Sequence, residues 1–138
     1  MSRRARPDEP PPEFFVDRSL GSRIVPEALR RVGLTAHAMA DVYPNLGEDL
    51  ADETWIPEVT ARGWIILLKD DRVRSNPAER AAILDSAARV FCVTRGNLTG
   101  VTQAEWLVNN RYRILQTARK RGPYVYGVYE NRLERLLP

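Results

Sequence analysis

Short, almost wholly apolar runs alternate along the chain with segments of helical periodicity, and this alternation restricts the fold more than any other feature. Runs that are apolar at every position are typical of strands buried on both faces of a sheet. When helices separate such strands, the connections favour a parallel arrangement with right-handed crossovers. The sequence therefore predicts a single-domain α/β fold with a central, mostly parallel sheet of about five strands flanked by helices.

The individual elements follow from apolar periodicity and from the residues at their boundaries. We predict strands at residues 14–16, 34–40, 64–68, 90–94 and 124–126. We predict helices at residues 22–32, 50–62, 75–88 and 102–119. Gly33 and Gly63 end the first two helices, and Pro77 falls in the first turn of the third. Residues 41–49 contain the proline, asparagine and glycine of a loop.

The length of 138 residues suffices for one domain. Residues 1–13 are rich in proline and charge and lack periodicity, so we predict a mobile tail before a domain at residues 14–138. We expect neither a membrane span nor a secretory signal, because no long apolar run is found and none follows the N-terminal arginines. The single cysteine, Cys92, cannot form an internal disulfide, which is typical of a reducing compartment. We therefore expect a cytoplasmic protein.

Charge is distributed unevenly along the chain, although the net charge is only +3. Residues 7–60 contain 11 acidic and 4 basic residues, whereas residues 101–138 contain 7 basic and 3 acidic ones. Such a separation is compatible with an acidic site beside a basic surface that attracts phosphate backbones. For the basic stretch alone we favour a simpler interpretation, a solvated helix face, since 19 of the 21 basic residues are arginine.

Acidic residues lie where two of the predicted strands end. Asp17 follows the first strand and Asp70 follows the third. In an open parallel sheet, functional groups lie at the carboxyl ends of the strands. These two carboxylates are therefore candidates for one site.

Asp52 is predicted to reach the same edge of the sheet from a helix. It precedes by three, four and seven residues the apolar stripe of that helix, which is Trp55, Ile56 and Val59. It therefore lies on the buried face, where a carboxylate is unusual unless it is paired or binds a metal. Because the helix follows a crossover, its N-terminal end lies at the edge where the strands end.

Three converging carboxylates predict a metal site. Their mutual repulsion is relieved by protonation or by a cation, and an all-oxygen ligand set suits Mg²⁺ or Mn²⁺. Such an ion activates water and neutralises charge on a phosphodiester, so no side-chain nucleophile is required. The only histidine, His37, lies in a predicted strand and is interpreted as structural, so neither a zinc site nor a Ser/His/Asp triad has a basis here.

Each member of this cluster also has a simpler explanation. Asp17 could be a turn residue after a strand, and Asp52 could be an N-terminal helix acid that interacts with free N–H groups. The acids at 70–71 could begin a turn. Arg72 and Arg74 are candidates for holding substrate phosphates, with local ion pairs as the alternative.

These residues resemble the PIN-domain proteins. The run FFVD at residues 14–17, followed by a helix, is similar to the opening of such domains. The segments DETWI at 52–56 and GWIILLKD at 63–70 are similar to the PIN-like branch, in which an aspartate starts a helix and a glycine leads into a strand that ends in another aspartate. NPAE at residues 76–79 also matches members related to VapC-type toxins. The resemblance covers roughly residues 14–127.

The resemblance implies a Mg²⁺- or Mn²⁺-dependent endoribonuclease that cleaves single-stranded RNA as the toxin of a type II toxin–antitoxin pair. It also implies a small antitoxin protein whose tail covers the acidic groove. Asp17, Asp52 and Asp70 match the family's metal-holding catalytic acids, and Asp71 is a candidate fourth. The family pattern includes a further acid on a helix between the first and later aspartates. In this chain that interval contains acids that we predict to lie outside any helix, namely Asp41, Glu48 and Asp49.

Two other functions remain as alternatives. A catalytically degenerate PIN-like module would bind RNA or a protein without cutting, and its RNA binding would survive EDTA. A receiver-like phosphoacceptor domain also uses acids at strand ends, but it would place paired acids after its first strand, where Arg18 follows Asp17 here.

Two apolar or aromatic groups near the C-terminus are predicted to pack in the core. The stripe of the last helix is mostly core, although part of it could form a homodimer interface: Trp106, Leu107, Ile114 and Leu115. Three tyrosines could stack on bases, but we favour packing along the last strand: Tyr124, Tyr126 and Tyr129.

Overall fold

The computed structural model describes residues 11–45, 50–69, 76–94 and 97–137. The strands are β1 Glu13–Val16, β2 Thr35–Ala38, β3 Ile65–Lys69, β4 Arg89–Val93, β5 Tyr124–Val128 and β6 Leu133–Leu137. The helices are α1 Ile24–Arg31, α2 Met39–Val42, α3 Asp52–Ala61, α4 Pro77–Ser86, α5 Gly100–Asn109 and α6 Arg111–Thr117. A 3-10 turn at Arg18–Leu20 follows β1.

The described strands form one sheet in the order β2–β1–β3–β4–β5–β6. The first five pair in parallel, and β6 pairs antiparallel with β5. The register aligns Val16 with Leu67, Leu67 with Phe91, and Phe91 with Tyr126. The predicted α/β fold with a mostly parallel sheet is confirmed. The carboxyl ends of the five parallel strands lie along one edge, called the carboxyl edge below.

Helices cover both faces of the sheet because its central strands are apolar on both sides. Residues 65–68 of β3 are all buried, alternately in the two cores. Helices α1, α5 and α6 pack on one face, and α3 and α4 pack on the other. The apolar stripe predicted in the last helix lies in the first of these cores: Leu107 and Ile114 are buried, and Trp106 and Leu115 pack against them.

The helix boundaries follow local chemistry. Gly33 and Gly63 end the first and third helices with φ of 86° and 80°, a conformation that glycine adopts without strain. Asn76 caps α4, since its side chain accepts the Glu79 N–H at 3.2 Å, and Pro77 is the first helical residue.

The structure differs from the sequence prediction at both ends of the sheet. The sixth strand, β6, was not predicted, because Glu134 and Arg135 are exposed at this edge and leave no buried apolar run. The strand predicted at residues 34–40 ends at Ala38, and the short helix α2 follows. Asp41 therefore lies on a helix, and the predicted loop at 41–49 was wrong for its first two residues.

The prediction of one continuous helix at residues 102–119 was wrong. The segment forms two helices that meet at Asn110, which is fully buried. The Asn110 side-chain amide donates to Trp106 O at 2.8 Å and to Tyr129 O at 2.6 Å. The bond to Tyr129 O ties the break to the segment after β5, so the interruption has a tertiary cause.

The predicted tail at residues 1–13 falls mostly outside the described residues, and Glu13 already belongs to β1. Within the ranges that the structure describes, no helix combines the length and apolarity needed to cross a membrane.

Candidate active site

Asp17 lies directly after β1 at the carboxyl edge. Its backbone N–H donates to Leu67 O at 2.9 Å, so the pairing with β3 continues to this residue. Its carboxylate caps the 3-10 turn: Oδ2 accepts the Ser19 N–H at 3.1 Å and the Ser19 hydroxyl at 2.6 Å. Asp17 can therefore cap the turn and contribute its carboxylate to a site in the same conformation.

Ser19 connects Asp17 to the end of β3. Its Oγ accepts the Lys69 N–H at 3.0 Å while it donates to the Asp17 carboxylate. Ser19 was not among the residues predicted for the site. The available signal was a hydroxyl residue two positions after an aspartate at a strand end, which is typical of a capped turn.

Asp52 is the first residue of α3 and is half-buried. Its Oδ1 accepts the indole N–H of Trp55 at 2.8 Å. Trp55, Ile56 and Val59 are all buried, as their spacing predicts. Ala51 is the N-cap, with no side-chain capping bond, so the carboxylate of Asp52 is oriented by a core tryptophan rather than by the helix end.

The structure brings Asp17 and Asp52 close enough to interact. Burial raises the pKa of the Asp17 carboxyl above its usual value, and the negative charge of Asp52 raises it further. The hydrogen bonds from Ser19 and the positive charge of Arg18 oppose this shift without cancelling it. The ionised form of Asp17 is thus under-stabilised, which is the condition that a cation between the two carboxylates would relieve.

Several predicted site residues lie outside the described residues: Asp70, Asp71, Arg72, Arg74, Glu48 and Asp49. Lys69, which precedes Asp70 in the chain, is the last described residue of β3 and is held by Ser19. Within the described ranges, no group of three His, Cys, Asp or Glu side chains is placed to hold a metal ion. The assignment of Asp70 to the site stays a prediction.

Asp41 lies in α2, which follows β2 at the carboxyl edge, and His37 lies within β2. The Asp41 carboxylate is 73% exposed and lies 3.9 Å from the Arg30 guanidinium. His37 contacts Glu13 Oε1 at 2.8 Å and stacks on Trp64 with 4.0 Å between ring centroids. Because Glu13 begins β1, these contacts lie towards the amino end of the strand, in agreement with a structural histidine.

Thr94 follows β4 at the carboxyl edge, and sequence reasoning missed it. Its Oγ1 is buried and has no hydrogen-bond partner among the residues that the structure describes. A buried hydroxyl without a partner is costly, so it is a candidate polar group for a ligand at this edge. No local pattern marks it, since a threonine at the end of a strand is common.

Comparison with known proteins places the chain in a family. The family model described as a PIN-like domain matches residues 12–95, which include Asp17, Asp52 and Asp70. The chain belongs to the PIN-like domain family. This PIN-like domain is also 36% identical, over 125 residues, to a Mycobacterium tuberculosis protein named "Putative ribonuclease VapC45". The alignment covers 90% of this chain and 91% of that relative, and it identifies the protein as of the VapC type. A comparison with solved structures found no match.

Proposed function

We propose that this PIN-like domain is a metal-dependent endoribonuclease that hydrolyses RNA phosphodiester bonds as the toxin of a type II toxin–antitoxin pair. The main support is the pair formed by Asp17 and Asp52 at the carboxyl edge, where the pKa of Asp17 is raised by burial and by its neighbour. The name of the mycobacterial relative supports RNA as the substrate.

The donor set fits a hard divalent cation. Asp17 and Asp52 offer carboxylate oxygens, and the raised pKa of Asp17 means that its charge lacks compensation. Asp17, Asp52 and Asp70 would hold Mg²⁺ or Mn²⁺, with Asp71 as a fourth catalytic acid. When bound, the ion supplies charge neutralisation at the phosphodiester and activation of water.

The protein's own groups fix the position of the carboxylates. Ser19 holds Asp17 with two hydrogen bonds and ties it to Lys69 of β3. Trp55 holds Asp52, and its ring packs on Phe15 with 5.1 Å between centroids. Both carboxylates are thus anchored to the sheet before substrate arrives, which is the preorganisation that phosphodiester hydrolysis requires.

The remaining parts of the proposal concern substrate and partners. Arg72 and Arg74 follow the acidic pair in the chain and would hold substrate phosphates. A small antitoxin protein would cover the acidic groove, and the cytoplasm is where both RNA and such a partner are found. A homodimer is an alternative assembly, and light scattering of the purified protein decides between monomer and dimer.

Cleavage assays test the proposal directly. With Mg²⁺ or Mn²⁺ the protein cuts single-stranded RNA, and EDTA stops the reaction. Asp17→Asn, Asp52→Asn and Asp70→Asn each lower kcat by more than about 100-fold, beyond the loss typical of groups that only support metal ligands. Asp85→Asn is the matched control, because this exposed acid lies in the last turn of α4, near the start of β4 at the opposite end of the strands, and its loss leaves cleavage unchanged.

Two outcomes would contradict this assignment. Wild-type rates in Asp17→Asn and Asp52→Asn would remove these acids from the reaction. RNA binding that survives EDTA, without cleavage at any metal concentration, would instead favour the degenerate PIN-like module.

A further inference from the structure

A recess lies between α5 and the turn that joins β5 to β6. Its volume is about 440 Å³, within the range of pockets that hold small organic groups. The lining residues are Leu98, Trp106, Tyr129, Glu130, Asn131 and Arg132. None of them belongs to the acidic site.

The recess lies on the same edge of the sheet as the two carboxylates. Tyr129 follows β5, as Asp17 follows β1, and the strands between them are in parallel register. From β1 through β3 and β4 to β5 there are three strand spacings, or about 14 Å. A single polymer chain lying along the carboxyl edge therefore contacts both places.

The walls of the recess are fixed by buried hydrogen bonds. The Asn110 amide donates to Trp106 O on one wall and to Tyr129 O on the other. Asn109 donates to Glu130 O at 3.2 Å, and the Tyr129 N–H donates to Arg132 O at 3.0 Å. Because Asn110 is fully buried, its two bonds are shielded from water and hold the two walls of the recess in place.

The lining combines flat aromatic surfaces with a cation. Arg132 lies over the Tyr129 ring, with 4.1 Å between its guanidinium carbon and the ring centroid, while its side chain is 61% exposed. Trp106 is partly exposed on the opposite wall. Aromatic rings and guanidinium planes are the surfaces on which unpaired bases stack, and exposed Glu130 and Asn131 offer hydrogen-bonding groups beside them.

Basic side chains adjoin this recess on the side of α6. Arg111 and Arg113 lie in the first turn of α6, which starts after Asn110. The Arg113 guanidinium lies 3.5 Å from the Asn110 amide oxygen, and the Arg111 guanidinium donates to Val108 O at 2.8 Å. Their charges complement the phosphates of a nucleic acid whose base occupies the recess. The carboxylates of an acidic protein segment would also pair with these cations, but the flat stacking planes beside them favour a base.

We propose that the recess is a nucleobase-binding subsite that holds one base of the RNA, a few nucleotides from the bond cleaved at Asp17 and Asp52. The inference rests on the proposed ribonuclease function and adds to it a contact that positions the strand. It also reverses one sequence-based preference, since Tyr129 contributes to stacking on a base and not only to packing.

Binding of modified RNA tests the subsite. In the full chain carrying Asp17→Asn, which binds without cutting, short single-stranded RNAs with one abasic position each are titrated by fluorescence anisotropy. One abasic position weakens binding by about tenfold or more relative to the others, the loss typical of a stacked base. Tyr129→Leu and Arg132→Ala weaken binding of intact RNA by a similar factor and abolish the sensitivity to that position.

The matched control is Arg31→Ala. Arg31 is exposed and pairs with Glu27, as Arg132 pairs with Glu134, so the two variants lose the same charge and a comparable ion pair. Arg31→Ala retains both the affinity and the sensitivity to the abasic position. Arg132→Ala changes an exposed side chain, so the test holds even if Tyr129→Leu does not fold.

Cleavage by the otherwise wild-type chain separates the two ways in which the inference can fail. The subsite is overturned if Tyr129→Leu and Arg132→Ala keep the wild-type kcat/KM and if no abasic position weakens RNA binding more than the others. The proposed nuclease function is unaffected by that result. If the two variants keep wild-type RNA cleavage and RNA binding but bind the antitoxin more weakly, the recess binds a protein segment. Absence of both cleavage and RNA binding in the unmodified chain overturns the proposed function, and the subsite with it.

Discussion

The carboxyl group of Asp17 is subject to opposing influences. Burial and the charge of Asp52 raise its pKa, whereas hydrogen bonds from Ser19 and the charge of Arg18 lower it, and the net shift is upward from 3.8. An acid with a higher pKa in the folded chain than in the unfolded chain binds more protons when folded. The free energy of unfolding therefore falls as pH rises from about 3.8 through the raised pKa.

Asp17→Asn tests this balance through stability. In EDTA at neutral pH the variant unfolds at a Tm a few degrees above wild type, because the neutral amide has no charge to desolvate and its oxygen still accepts from Ser19. The difference disappears below about pH 3.8, where wild type is protonated in both states. Thermal unfolding followed by circular dichroism measures it, with Asp85→Asn as an exposed control.

Added Mn²⁺ reverses the order of stability, so that wild type unfolds at a higher Tm than Asp17→Asn. An ion that binds only the folded wild type stabilises it by about 2.7 kcal/mol at 100 times Kd, and the variant gains less. A wild type that is already the more stable protein in EDTA at neutral pH would contradict the proposed charge repulsion.

The helices that start near the carboxyl edge differ in how they begin. Asn76 caps α4, and Thr99 caps α5 by accepting the Thr102 N–H at 3.2 Å. Helix α3 begins after Ala51, which has the extended backbone of an N-cap, φ −67° and ψ 144°, but no side-chain oxygen. The acid at its first position, Asp52, accepts from the Trp55 indole instead, so this helix end has no side-chain cap.

Ala51→Ser should therefore stabilise the protein. The exposed residue already has the backbone of an N-cap, so a hydroxyl there raises the free energy of unfolding by about 1 kcal/mol. Thr99→Ala removes a cap of the same kind and lowers it by a similar amount. Urea unfolding measures both changes. Ala51→Val adds volume without an acceptor, and an equal gain in that variant would show that capping is not the cause.

Over the whole molecule, the basic residues of the C-terminal part are divided between the carboxyl ends and the amino ends of the strands. Arg111 and Arg113 lie where α6 begins, beside the segment that follows β5. Lys120 and Arg121 lie after α6 ends, where the Tyr124 hydroxyl at the start of β5 donates to backbone carbonyls. The basic residues are close together in sequence but lie at opposite ends of the strands. Arg111 and Arg113 adjoin the recess, and Lys120 and Arg121 do not.

The salt dependence of RNA binding distinguishes these two pairs. In the Asp17→Asn background, Arg111→Gln with Arg113→Gln lowers the slope of log affinity against log salt by roughly 1.4, the value for two phosphate contacts on a single strand. Lys120→Gln with Arg121→Gln removes equal charge from the other edge and leaves the slope unchanged. A reversed pattern would place the RNA along the amino ends of the strands.

The apolar runs determined the sheet without reference to any contact. Residues 65–68 are apolar throughout, and a run of that length is stable only between two layers of helices. The same periodicity predicted that Asp17 follows a strand and that Asp52 lies on the same helix face as Trp55. These features were predictable because each depends on the period of a short segment, which the sequence carries in full.

Tertiary contacts decided what no segment encodes alone. Asn110 breaks a helix because it reaches Tyr129, β6 forms because β5 offers it an edge, and Ser19 matters because Lys69 lies beside it. The interaction of Asp17 with Asp52, and the recess beyond β5, likewise depend on residues far apart in the chain. A hydrogen bond or a repulsion acts over a few ångströms of space, so its partners become known only when the chain is folded.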